Sequence, residues 1–239
     1  MRLPPLTPGV ILNRYQRFLA DVELADGTRL TAHCPNTGSM ATCWRPGAAV
    51  QLSRSDSPTR KLPWTLERID MGNGWVGVHT GRVNAVMAEG VSGGRIGTLS
   101  GYAELRRETV FRPEGLPGGR LDLLLRQGPA PDALVEIKNT TLLDEDRVRF
   151  PDAVTVRGRK HLDLLLRAVE GGLRGVILFA VNRPEGRVFA PAWEVDPDYS
   201  RRLAEVAERG VEVLAVRVRH TPDGMAADGL VPLDLAPTQ

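Results

Sequence analysis

The chain has 239 residues, 42% of them apolar and 25% charged, with a formal net charge of +2. These values suit one large or two small folded domains and exclude a disordered or fibrous protein. The longest clean apolar run, residues 175–181, falls far short of the ~20 needed to span a membrane. The start, Met1-Arg-Leu-Pro-Pro-Leu-Thr-Pro, lacks the apolar stretch of a secretory signal. Two cysteines, Cys34 and Cys43, are too few for a disulfide framework. A soluble cytoplasmic protein with no membrane partner is expected.

Charge is unevenly spread. Residues 1–120 hold 15 basic and 10 acidic side chains, whereas residues 121–239 hold 16 and 19. A basic first half beside a more acidic second half suits a protein that grips a polyanion and sets a carboxylate-held cation next to it. Of the 31 basic residues only Lys61, Lys138 and Lys160 are lysine. Arginine keeps a charge equally well, so a retained lysine hints at a need for a compact ammonium.

Residues 9–80 read as short strands separated by turn residues. Residues 10–22 alternate apolar and polar, and Asp26-Gly27 is a hairpin signal. Strands are expected at 28–33, 48–53, 64–69 and 75–78, with a loop at 35–39 and a tight turn at Asn73-Gly74. So many short strands predict a small β-barrel or sandwich. A helix is expected at 82–89, then a glycine-rich loop at 90–97. Residues 102–110 fit a short helix or the start of a strand. Apolar strands follow at 121–126 and 134–141. An amphipathic helix is predicted at 156–170 from Leu162, Leu165, Leu166 and Val169, stopped by Gly171-Gly172. A buried strand at 175–181 comes next. Asp196-Pro197 starts a helix that runs to Arg209, and 211–218 is read as the last strand. Residues 221–239 read as a tail with a short strand at most. Strands alternating with helices predict a mixed α/β sheet.

The chemistry concentrates in Arg120-Leu-Asp122 and Glu136-Ile-Lys138. In a strand, residues i and i+2 share a face, so Glu136 and Lys138 point together. If the two strands pair through the loop at 128–132, opposed positions sum to about 258–260, and cross-strand Cβ atoms lie ~5 Å apart. Asp122 then faces Glu136 or Lys138. Two close carboxylates raise each other's pKa. A hard cation such as Mg²⁺ or Mn²⁺ relieves this, held by Asp122, Glu136 and the carbonyl of Ile137. Lys138 would orient water or stabilise charge on a phosphate. The pattern points to metal-dependent phosphodiester hydrolysis, with an ion-pair patch at a strand end as the plain alternative.

Other candidates surround this centre. Arg157, Lys160 and His161 fall at helical i, i+3 and i+4 positions and suit a phosphate. In Asn13-Arg14-Tyr15-Gln16-Arg17-Phe18, basic and aromatic residues interleave as in barrels that bind single strands. Asn36 and Thr37 in their loop, with Arg60 and Lys61 in a later one, extend this surface. His33, Cys34 and Cys43 lack a second ligand pair, so zinc is set aside.

The runs His33-Cys-Pro-Asn-Thr-Gly38, Glu136-Ile-Lys-Asn-Thr-Thr-Leu142, Phe150-Pro-Asp-Ala-Val-Thr155 and Arg157-Gly-Arg-Lys-His-Leu162 resemble the sugar fermentation stimulation protein A family. The resemblance extends from Asn13 to about Val218. It implies an N-terminal OB-fold at 1–81 and a PD-(D/E)xK nuclease-like α/β domain at 82–239. It implies DNA binding without sequence specificity and a role in regulating sugar (maltose) metabolism. Asp122 and Glu136 match the two core acids, Lys138 the lysine, and Glu108 a glutamate ahead of the first acid. Lys160 and His161 match the family's basic helix. Gly119-Arg120 and Val156 depart from the family pattern, and Val156 rules out a helix carboxylate there. Two readings follow: a Mg²⁺-dependent nuclease that holds DNA on its barrel, or a non-catalytic DNA-binding regulator that keeps the fold. RNA stays open as a substrate.

Overall fold

The computed structural model describes residues 1–115 and 117–237. The first six strands are β1 (Leu6–Tyr15), β2 (Leu19–Leu24), β3 (Arg29–His33), β4 (Ala49–Arg54), β5 (Trp64–Asp70) and β6 (Trp75–Gly77). Their order is β3-β2-β1-β4-β5-β6, and a further β3–β5 pairing, His33 against Thr65, closes a five-stranded barrel. Alternate residues fill it: Ile11, Ala20, Val22, Ala32, Leu52, Leu66 and Ile69 are buried. This is an OB barrel. The alternation expected at 10–22 is a hairpin, broken at Gln16 and Arg17, which adopt left-handed φ of 49° and 66°.

The α/β domain carries α1 (Thr80–Ser92), β7 (Glu104–Phe111), β8 (Gly119–Arg126), β9 (Ala133–Thr140), β10 (Leu142–Asp144), β11 (Arg147–Phe150) and α2 (Val156–Glu170). It continues with β12 (Arg174–Val181), β13 (Val188–Pro191), α3 (Pro197–Glu208), β14 (Glu212–Thr221) and β15 (Gly224–Leu230). Its main sheet has the order β15-β14-β12-β9-β8-β7, with β9, β12 and β14 parallel. The first apolar core places α1 with Leu123, Val135, Ile137 and Leu178 on one face. A second places α2 and α3 with Leu134, Ile177 and Phe179 on the other. Covered on both faces, β12 reads as an unbroken apolar run.

The expected helix at 156–170 has those bounds. Thr155 Oγ1 caps it by accepting from the Gly158 N–H at 3.0 Å. Asp196 accepts from Tyr199 N–H at 3.0 Å and Thr155 N–H at 2.7 Å, so one buried carboxylate joins the starts of α2 and α3. Of the two readings open at 102–110, the strand holds: β7 runs Glu104–Phe111. One expectation is corrected. Residues 221–239 are no mere tail: β15 pairs with β14 and closes the sheet's edge. The small sheet β10-β11-β13 fills stretches left unassigned, its strands being three or four residues long.

Barrel and α/β domain are fastened together. Arg68 on β5, 1% exposed, donates to the carbonyls of Thr221 (2.7 Å) and Pro222 (2.8 Å). Gly77 N–H donates to the Asn182 carbonyl at 2.9 Å, and a Cβ on Gly77 would run into the Asn182 side chain. Thr80 Oγ1 donates to the Pro35 carbonyl at 2.7 Å. No helix is long and apolar enough to cross a membrane among the described residues.

Candidate active site

The β8–β9 ladder runs from Leu125↔Ala133 to Leu123↔Val135 and stops there. Its register sums to 258, which sets Asp122 across from Glu136. Where the next ladder bond would form, Asp122 Oδ2 accepts the Ile137 N–H at 2.7 Å. Asn84 Nδ2, on α1, donates to its other oxygen at 2.6 Å. A residue's N–H and C=O point to the same side of a strand. The Ile137 carbonyl therefore faces the side of β9 on which Asp122 lies.

Glu136 is 4% exposed, and one of its oxygens carries all its contacts. Lys138 Nζ donates to Oε1 at 2.6 Å, and His161 Nδ1 on α2 donates to the same atom. Glu136 Oε2 is buried with no hydrogen-bond partner. Arg157 Nε lies 3.4 Å from His161 Nε2, which makes Nε2 the acceptor and assigns the ring proton to Nδ1.

The two acids differ electrostatically. Burial, then the charge of Glu136, pushes Asp122 above the ordinary carboxylate value. Burial also works against ionised Glu136, but the His161 hydrogen bond and the Lys138 charge outweigh it and hold it below. A carboxylate pair split this way, with one buried oxygen free, is a site for positive charge. Asp122, Glu136 and the Ile137 carbonyl suit a hard oxygen-seeking cation that keeps several waters. Among the described residues no three His, Cys, Asp or Glu side chains cluster, so such a cation would rest on two carboxylates.

The other candidates fall elsewhere. Glu108 stands opposite Asp122 on β7, but with left-handed φ of 53° it turns outward to Arg120 at 3.3 Å. It is not part of the acid pair. His161 is buried against Glu136 through Nδ1 and meets Arg157 through Nε2, while Arg157 and Lys160, which line one pocket with it, are exposed. Arg14 is engaged by backbone, its Nη2 donating to the carbonyls of Arg17 in the β1–β2 turn and of Asn36 and Gly38 in the following loop. Tyr15 donates to Asp21 (3.2 Å) and Arg60 to Thr65 (2.9 Å), while Lys61 is exposed. Arg17, Asn36 and Thr37 line a cleft of about 570 Å³ between barrel and α/β domain, whose other wall includes Lys138. Sequence reasoning missed Asn84 and the bond from His161 to Glu136. Asn84 lies on α1, outside every motif named above, and nothing local marks it.

The sequence profile of the sugar fermentation stimulation protein RE domain matches residues 81–224, and that of the SfsA N-terminal OB domain matches residues 12–78. The sugar fermentation stimulation protein homolog of Acidithiobacillus ferrooxidans is 47% identical, over 98% of this chain and 99% of its own. That of Syntrophotalea carbinolica is 48% identical, over 98% and 99%. The structure of Pyrococcus furiosus SfsA in complex with Ca²⁺ shares the fold, with a TM-score of 0.85, 24% identity and 98% of each chain covered. The chain belongs to the sugar fermentation stimulation protein family.

Proposed function

We propose that this protein is a metal-dependent DNA phosphodiesterase of the PD-(D/E)xK type. Its barrel, residues 1–81, would hold the nucleic acid, and residues 82–239 would carry the chemistry. The observation behind this reading is the buried, unpartnered Oε2 of Glu136 beside the strained charge of Asp122. A pure DNA binder gains nothing from a buried and a half-buried carboxylate side by side near its cleft.

Asp122, Glu136 and the Ile137 carbonyl would hold Mg²⁺ or Mn²⁺; a relative's structure contains Ca²⁺. When bound, the cation supplies Lewis-acid polarisation of a phosphate oxygen and a more acidic water. This chain's own groups do the positioning. Asn84 and the Ile137 N–H fix the Asp122 carboxylate. His161 fixes Oε1 of Glu136 and leaves Oε2 for the cation. Lys138 lines the cleft, where its ammonium would meet the attacking water or the charge growing on the phosphate.

The test is cleavage of labelled DNA with Mg²⁺ or Mn²⁺, wild type beside Asp122→Ala and Lys138→Ala. Cleavage by wild type that both variants lose supports the reading. Binding without cleavage under every metal would favour the non-catalytic regulator of sugar metabolism.

A further inference from the structure

Most cations on the packed helices α2 and α3 are neutralised by a carboxylate. On α2, Arg159 pairs with Asp196 (3.4 Å) and Asp198 (3.0 Å), and Arg167 with Glu170 (2.7 Å). On α3, Arg201 pairs with Asp198 (3.2 Å), and Arg202 with Asp163 (2.6 Å) and Glu205 (3.1 Å). Arg157 and Lys160 break this pattern. Both are exposed, and neither meets a carboxylate among the described residues. They stand three apart on α2, where like charges are neighbours and repel.

The two cations line one cavity of about 400 Å³, within the range of sites for small ligands. His161, 7% exposed, lines it too. Arg157 Nε meets His161 Nε2 at 3.4 Å, and the same ring donates through Nδ1 to Glu136. That contact orients the guanidinium and leaves both its Nη groups without a partner among the described residues. The acid in the lining, Asp163, is already taken by Arg202. Pro117 and Leu164 add uncharged surface.

Charge and shape together name the ligand class. A free guanidinium fork binds two phosphate oxygens at once, and an ammonium adds a point charge. A phosphate monoester carries about −1.5 to −2 at neutral pH, enough to answer both cations, whereas a diester carries a single charge. The apolar remainder of the lining suits a sugar or base better than a second phosphate. We propose that this cavity is a phosphate-monoester site, which seats the terminal phosphate of a nucleotide between Arg157 and Lys160. The proposal rests on the nuclease reading for its setting, since His161 ties the cavity to the acid pair. There the monoester is either the end of a strand or a released mononucleotide.

The test is calorimetric titration of dAMP in EDTA, where neither metal nor hydrolysis contributes. One site per chain is expected, with a Kd of about 1 mM or tighter, the scale of two charge-assisted contacts. Arg157→Ala and Lys160→Ala should each weaken it about tenfold or more. Asp163→Asn, which leaves the Arg202 charge unanswered beside the cavity, should tighten it a few-fold; a gain of binding cannot come from a damaged fold. Single-stranded 12-mers with a 5′-phosphate, a 3′-phosphate or neither then separate the sources. Tighter binding of one phosphorylated strand, lost in Arg157→Ala, assigns the site to that strand end. Equal binding of all three assigns it to the released mononucleotide. Absence of saturable dAMP binding, or binding that both alanine variants keep, overturns the proposal, even if DNA is cleaved in Mg²⁺. Binding of dAMP that needs Arg157 and Lys160, without cleavage in any metal, keeps the site and sinks the nuclease reading instead.

Discussion

The Asp122 carboxylate takes the place of a strand partner for Ile137, accepting its N–H at 2.7 Å just where the β8–β9 ladder ends. The acid is thus held by the sheet itself and not by a loop. Its charge is the unfavourable one: burial and Glu136 raise its pKa. A carboxyl whose folded pKa is raised favours the fold at low pH and loses that contribution as pH rises through the raised value. Without divalent metal, Asp122→Asn should therefore be more stable than wild type at pH 7 and show no gain at pH 4. The Asn84 amide can turn to meet the new side chain. Thermal melts in EDTA at the two pH values check this.

His161 should act on Glu136 and not on DNA. Its Nδ1 donates to Oε1, the oxygen that Lys138 also holds. Groups that orient a metal ligand are worth about 10–100-fold in metal affinity. His161→Ala should lose that much Mg²⁺ affinity by calorimetry. His161→Asn, which keeps a donor, should recover part of it. Lys160→Ala, on the exposed side of α2, should leave metal affinity unchanged.

Arg68 should be the strongest single fastening between the domains. It is 1% exposed, donates to Gln51 Oε1 at 2.6 Å and to two carbonyls near the β14–β15 turn, and stacks on Trp75 with its Cζ 4.9 Å from the ring centre. Arg68→Ala leaves several buried acceptors without a donor, each costing about 1–3 kcal/mol. A loss of at least about 3 kcal/mol is expected, and urea unfolding should separate into two transitions.

His220 should set the acid side of stability. Burial, then the Arg68 charge, pushes its pKa down to about 4, and its Nε2 meets Asn182 Oδ1 at 2.8 Å. Between about pH 6.5 and pH 4 the unfolded chain binds a proton that the folded protein refuses, so stability falls with pH across that window. Wild type should lose about 2 kcal/mol between pH 7 and pH 5 from this group. His220→Gln should lose correspondingly less, as denaturant titrations at both values would show.

Much of this was legible in the residues, for physical reasons. The α2 helix announces itself by the leucine stripe and Gly171-Gly172. Asp122 and Glu136 stand out because acids are rare on strands as apolar as β8 and β9, and hairpin arithmetic suffices to bring them together. Glu108 misleads because its position opposite Asp122 is right; only its left-handed φ, which no local pattern reveals, turns it away. His161 hides because helical spacing groups it with Arg157 and Lys160, whereas the side chain packs inward on Glu136. Arg14 reads as a free cation because its acceptors are carbonyls, which sequence does not display. β10, β11 and β13 are too short for periodicity to register.

A cation held by Asp122 and Glu136 is what the proposed chemistry requires. Calorimetric titration of Mg²⁺ or Mn²⁺ into wild type, Asp122→Asn and Glu136→Gln tests this directly. One site per chain in wild type, lost or weakened at least a hundredfold in both variants, is the predicted result. Absence of binding in wild type, or binding that both variants keep, would contradict it.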